Sequence, residues 1–228
     1  MPTLFSIVLF THIGLGTLSI ASGLILLTIK KGNQLHRRLG RLFSASLLSG
    51  GSLALTLSIM HPNLFLGLVS LFTLYMVGMG HRYAQRKDKA PNLLDRCMAQ
   101  AILLTGLVLI LLALPLLFQG NQMGLVPAAF GGLGLMYAVQ DGKALRQNPL
   151  PNPKRLQLHL QRMLGALIAS LSAFLVVNYR WFPEQFPSPI LWLFPTFVLA
   201  PIIVIWSKRV ERGQGPAKIR NHEKANEL

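Results

Sequence analysis

Apolar stretches alternate along this chain with connections that are basic only at every second junction, and few folds can accommodate that pattern. Seven stretches, residues 4–29, 42–60, 64–80, 97–118, 124–139, 163–179 and 189–206, contain no Asp, Glu, Lys or Arg. A helix that crosses a bilayer needs about 20 mainly apolar residues. Most of the stretches meet that length; residues 124–139 are short and Gly-rich, and residues 189–206 carry Pro189, Pro195 and Pro201. Charged residues are 13% of the chain, about half of the roughly 25% usual in soluble domains. That deficit excludes an ordinary soluble domain and excludes disorder. The expected fold is all-α: a polytopic membrane helix bundle of seven transmembrane helices. Residues 1–206 form one domain, and residues 207–228 form a polar, basic cytoplasmic tail.

The placement of charge sets the expected orientation. The first connection holds Lys30, Lys31, Arg37, Arg38 and Arg41, and the third holds Arg82, Arg86, Lys87, Lys89 and Arg96. The fifth holds Lys143, Arg146, Lys154, Arg155 and Arg162, and the tail holds Lys208, Arg209, Arg212, Lys218, Arg220 and Lys224. Of the 22 Lys and Arg residues, only Arg180 falls on the opposite side. Cytoplasmic loops retain Lys and Arg during insertion, so the N-terminus is expected outside and the C-terminus in the cytoplasm. A net charge of +15 spread this way argues against nucleic acid. It points to the bilayer itself, with anionic headgroups at the cytoplasmic face, as the partner.

Several smaller features fit. Met1-Pro2-Thr3 lacks a basic start, and the first apolar run is too long for a cleavable leader, so a retained span is expected. The single cysteine, Cys97, rules out an internal disulfide and Cys-based zinc or iron–sulfur sites. Short connections at 60–64 and 119–124 predict two antiparallel hairpins. The run from Gln147 to Pro153 reads as a stiff link.

Small residues share helix faces with histidines. His12, Gly16, Ser19 and Gly23 fall on one face, Gly67, Ser70, Gly78 and His81 on a second, and His159, Ala166, Ser170 and Ala173 on a third. Such faces pack helices against one another in lipid. His12 lies roughly 12 Å into the first span, at 1.5 Å per residue. An ionisable group at that depth is a candidate functional residue, or a neutral imidazole donating to a helix carbonyl. His36, His81 and His159 fall near the cytoplasmic ends of their spans and are candidates to converge. His61 sits at the outer end of the second span and could approach His12. Dense histidine boxes are missing, and the last span has no lysine for a retinal Schiff base.

The first inner connection reads Leu35-His36-Arg37-Arg38-Leu39-Gly40-Arg41-Leu42-Phe43. It follows a span with His12-Ile13-Gly14, and the sixth span opens with His159-Leu160-Gln161-Arg162-Met163. This combination resembles an uncharacterised family of prokaryotic multipass membrane proteins, the domain of unknown function DUF2306. The resemblance covers the first three spans and the sixth. It implies a bacterial inner-membrane protein in which His12, His36 and His159 are marked positions, and it supplies no substrate. Arg37, Arg38 and Arg41 suit phosphate geometry and are expected to bind lipid headgroups.

Three functional readings stay open. The first is an accessory protein that works by contact with lipid, a membrane partner or a second copy of itself. The second is a b-type haem electron-transfer protein, with axial ligands drawn from His12, His36, His61, His81 and His159. The third is a small-solute transporter built on His12 and on broken helices in the fifth and seventh spans.

Overall fold

The computed structural model describes residues 3–86, 90–183 and 187–213. Lys87, Lys89, Lys218, Arg220, Lys224 and His222, with most of the tail, lie outside them. The described residues form seven long helices and no strand: α1 (Leu4–Thr28), α2 (Gln34–Met60), α3 (Leu64–Gln85), α4 (Leu93–Phe118), α5 (Leu125–Leu145), α6 (Asn152–Val177) and α7 (Ser188–Glu211). Each of the seven is long and apolar enough to cross a membrane. Their outer faces carry Leu, Ile, Phe and Val, as at Phe10, Leu104, Leu111, Phe118 and Phe197. Water would penalise such a surface, whereas lipid tails match it. Tyr179 and Trp181 are exposed beside Arg180, where an interfacial aromatic belt would place them.

The helices outrun the apolar stretches, almost always at the basic end. Hydropathy marks where a chain leaves hydrocarbon, but a helix ends where its backbone groups find a cap. Asn33 Oδ1 accepts from the His36 amide at 2.7 Å, so α2 starts before its arginines. Asn92 and Asp95 form a reciprocal capping box at the start of α4. Pro153 occupies the first turn of α6, where a missing N–H costs nothing. Arg37, Arg38, Arg41, Arg155 and Arg162 therefore lie on helices, and a connection containing them all as loop residues is corrected. Helix α7 likewise runs to Glu211, five residues past the expected domain end at 206.

The packing follows chain order, with α1 on α2, α2 on α3, α4 on α5 and α6 on α7, while α3 also lies against α6 and makes the centre. Both expected hairpins, α2/α3 and α4/α5, are present. The α4 end closes with a Schellman arrangement: Asn121 donates to Leu116 O at 2.9 Å and Gly120 to Leu117 O at 3.0 Å. This requires φ of 70° at Gly120, a value that suits glycine. At the end of α1, Lys31 Nζ donates to the carbonyls of Leu26, Leu27 and Ile29. It also lies 4.4 Å from the Trp206 ring of α7. Burial lowers the Lys31 pKa from its usual value.

Helices α5 and α7 are continuous. Pro127 falls in the first turn of α5, and Pro195 and Pro201 sit inside an unbroken α7. The expected broken helices are thus overturned, and with them the main support for a transport site. The glycines of α5 serve packing instead. A Cβ on Gly131 would meet Gly106 O at 2.9 Å, and one on Gly134 would meet Gly106 Cα at 3.2 Å. At this crossing α4 and α5 touch backbone to backbone. Replacing Gly131 by Val is expected to destabilise the protein by about 1–3 kcal/mol through overpacking. Gly132→Ala serves as control, because a Cβ there meets nothing within 4 Å. Thermal unfolding in detergent should separate the two, and equal melting temperatures would refute a glycine-dependent crossing.

Candidate functional site

The start of α6 carries Arg155, His159 and Arg162 at spacings of four and three, one face of a helix. That face lies along α3, and each residue finds a polar partner there. Arg155 Nη1 donates to Ala84 O at 2.6 Å and Tyr83 O at 3.2 Å, satisfying carbonyls that α3 leaves open at its end. One turn further in, His159 Nδ1–H donates to Gly80 O at 2.7 Å. Gly80 permits this approach, since a Cβ there would meet Arg162 Cβ at 3.0 Å.

Arg162 forms the deepest contact. Its Nη2 donates to Asp141 Oδ1 of α5 at 2.6 Å, and both side chains are 0% exposed. Tyr83 Oη donates to the same oxygen at 2.8 Å, and Tyr75 Oη donates to Asp141 Oδ2. The guanidinium also donates from Nε to Tyr75 Oη at 3.1 Å and from Nη1 to Gln140 Oε1 at 3.2 Å. Its plane lies 4.0 Å from the Tyr137 ring centroid. Asp141 thus accepts three hydrogen bonds, and the arginine fork is engaged on several sides. This is the arrangement that an ion pair removed from water requires.

A second ion pair joins Arg82 of α3 to Asp95 of α4, with Arg82 Nη2 donating to Asn92 Oδ1 at 2.7 Å. Arg86 Nη2 donates to Gln147 O at 3.0 Å, tying the end of α3 to the α5–α6 link. Every buried charged side chain in the bundle, Arg86, Asp95, Asp141, Arg155 and Arg162, therefore holds a partner inside it.

The five candidate histidines separate into different roles. His12 Nδ1–H donates to Gly50 O of α2 at 2.9 Å, and the small face around it packs there. His61 stacks on Phe5 at 4.3 Å, and Phe5 is seven residues or roughly 10 Å along α1 from His12. His81 Nε2 bonds Gln85 Nε2 at 2.7 Å. His36, His81 and His159 do occupy the same end, with His159 in electrostatic range of the other two. No cluster of three or more His, Cys, Asp or Glu residues able to hold a metal ion occurs among the described residues. His36 Nδ1 is buried without a hydrogen bond. Arg37, Arg38 and Arg41 are all exposed on the first turns of α2.

Sequence reasoning missed Asp141, Arg162, Tyr75, Tyr83 and Tyr137. It placed Arg162 among loop charges and found no carboxylate in any span; both points are corrected by the length of α5 and α6. A signal was present in the spacing of Arg155, His159 and Arg162.

Breaking the buried pair on one side leaves a charge without a counter-charge. Asp141→Asn or Arg162→Met is expected to cost about 3–5 kcal/mol. Tyr83→Phe should cost about 1 kcal/mol, the loss of one hydrogen bond. The double change Asp141→Asn with Arg162→Met should lose less than the sum of the single losses. Chemical unfolding in detergent micelles measures all four, and additive losses in the double variant would refute a coupled pair.

Comparisons of the chain with protein families, with curated proteins and with solved structures return no match.

Proposed function

We propose that the chain is an accessory protein of a bacterial inner membrane that acts by contact with lipid at its basic end. In this reading the N-terminus is outside and the C-terminus is cytoplasmic. One observation carries the proposal. The charged groups inside the bundle are bonded to one another or to backbone carbonyls, whereas Arg37, Arg38 and Arg41 face outward at the basic end. The interior polarity serves to hold helices together, and the outward polarity is what meets another molecule. Guanidinium groups at that depth suit lipid phosphates. The resemblance of the Leu35 to Phe43 run to DUF2306 proteins agrees with the location and adds no activity.

A second reading rests on His36 and His159. They come from different helices, lie in electrostatic range, and His36 keeps a buried nitrogen without a bond. Such a pair is the best candidate for axial ligation of a haem b in this chain.

A visible spectrum of protein purified from cells supplied with haem precursor decides between the two. The accessory reading expects a flat spectrum before and after dithionite. A Soret band that shifts on reduction, lost in His36→Ala or His159→Ala, would overturn it. Orientation is tested separately by fusions at the C-terminus. A fluorescent protein should be bright there and alkaline phosphatase inactive, and the reverse result would invert the topology.

A further inference from the structure

The α4/α5 pair touches backbone to backbone at Gly106 and Gly134. Nearer the basic end the same two helices line a groove of about 380 Å³. Its walls are Ala99, Gln100 and Leu103 of α4 with Ala138, Val139 and Gly142 of α5. Arg96, near the start of α4, and Arg146, at the C-cap of α5, also line it. The groove is therefore polarised along its length. Both arginines stand at the end where the helices leave the apolar layer. The α4 lining extends from Arg96 to Leu103, seven residues or roughly 10 Å of helix, and is apolar beyond Arg96 except at Gln100.

Nearby carboxylates do not neutralise these arginines. Asp95 adjoins Arg96 in sequence but is bonded to Arg82, and Asp141 adjoins Gly142 but is turned inward onto Arg162. Glu211, the remaining acid among the described residues, closes α7 and is not among the residues that line the groove. Two exposed guanidiniums thus flank an apolar slot, with no acid among the described residues ion-paired to either. A free anion would use the arginines and leave the slot empty. An anionic amphiphile uses both.

We infer that the α4/α5 groove is a discrete binding site for one anionic phospholipid, with its phosphate held by Arg96 and Arg146 and an acyl chain laid over Ala99, Leu103, Ala138 and Gly142. The inference rests on the lipid-contact reading and sharpens it, from a basic surface to a single site. Gly142 has a specific part in it. A Cβ there meets nothing within 4 Å, so the residue keeps the floor of the slot open. A larger side chain would fill the slot without disturbing the helix contact.

The test is native mass spectrometry of the full chain in detergent, titrated separately with phosphatidylglycerol, phosphatidylcholine and inorganic phosphate. One phosphatidylglycerol should bind saturably, about tenfold more tightly than phosphatidylcholine. The double variant Arg96→Gln with Arg146→Gln should erase that preference. Gly142→Leu should weaken both lipids while leaving the melting temperature unchanged, which guards against misfolding. Arg37→Gln with Arg38→Gln and Arg41→Gln should leave the first bound lipid in place. Unchanged binding in both groove variants would overturn the site, and so would displacement of the lipid by equimolar inorganic phosphate. Loss of preference only in the Arg37, Arg38 and Arg41 variant would overturn the groove and leave the lipid-contact reading standing. A Soret band would sink that reading whatever the groove titration gives.

Discussion

The ion pair between Arg162 and Asp141 fixes how the centre of the bundle is assembled. Apolar contacts between helices are weakly selective in lipid, because a helix loses little by exchanging a neighbour for an acyl chain. A buried charge is different. Left alone in hydrocarbon it is costly, so α5 and α6 have one register in which both charges are met. Tyr75 and Tyr83 extend that requirement to α3, since their hydroxyls complete the Asp141 carboxylate. Three helices are thus locked by one cluster, and the remaining helices pack around them.

Along the α3/α6 seam the same logic repeats at lower stakes. Arg155, His159 and Arg162 meet Ala84, Gly80 and Tyr75 in reverse order, as antiparallel helices must. Each contact uses a donor on α6 and an acceptor on α3. A shift of the seam by one turn would break all three at once. His12 does the equivalent for α1, donating to Gly50 of α2 across a close approach. In both cases a histidine beside small residues bonds a glycine carbonyl on the opposing helix, where the absence of a side chain exposes the acceptor.

The helix number and the two tight hairpins were legible because hydropathy and short connections report them directly, whereas the order of the helices in the bundle was not. Small-residue faces were also legible, as was the possibility that His12 serves a helix carbonyl. The helix ends were not, because caps such as Asn33 and Asn92 set them and apolar content does not. That error hid the central cluster. Once α5 was ended at residue 139 and α6 begun at residue 163, Asp141 and Arg162 became two loop charges with no reason to meet. Their pairing depends on three helices converging, which a single sequence without homologues does not encode locally. The glycines of α5 misled for a related reason. Glycine weakens a helix in isolation, yet in lipid it also permits backbone contact, and only the position of Gly106 on α4 distinguishes the two.

The positive charge of the chain divides by what each residue can reach. Arg82, Arg86, Arg155 and Arg162 turn inward and are bonded to carboxylates or to backbone carbonyls. Two of them, Arg82 and Arg162, are also neutralised by Asp95 and Asp141. Arg37, Arg38, Arg41, Arg96 and Arg146 are exposed. A net charge alone would treat the two groups alike, but the first group is structural and only the second can recruit an anion. In the proposed reading the glycine crossing of α4 and α5 sets where recruitment becomes specific. Beside the tight contact at Gly106, the same two helices line the groove that reaches Arg96 and Arg146 at the basic end. Packing within the bilayer and the recognition proposed at its edge would in this way be consequences of the same helix pair.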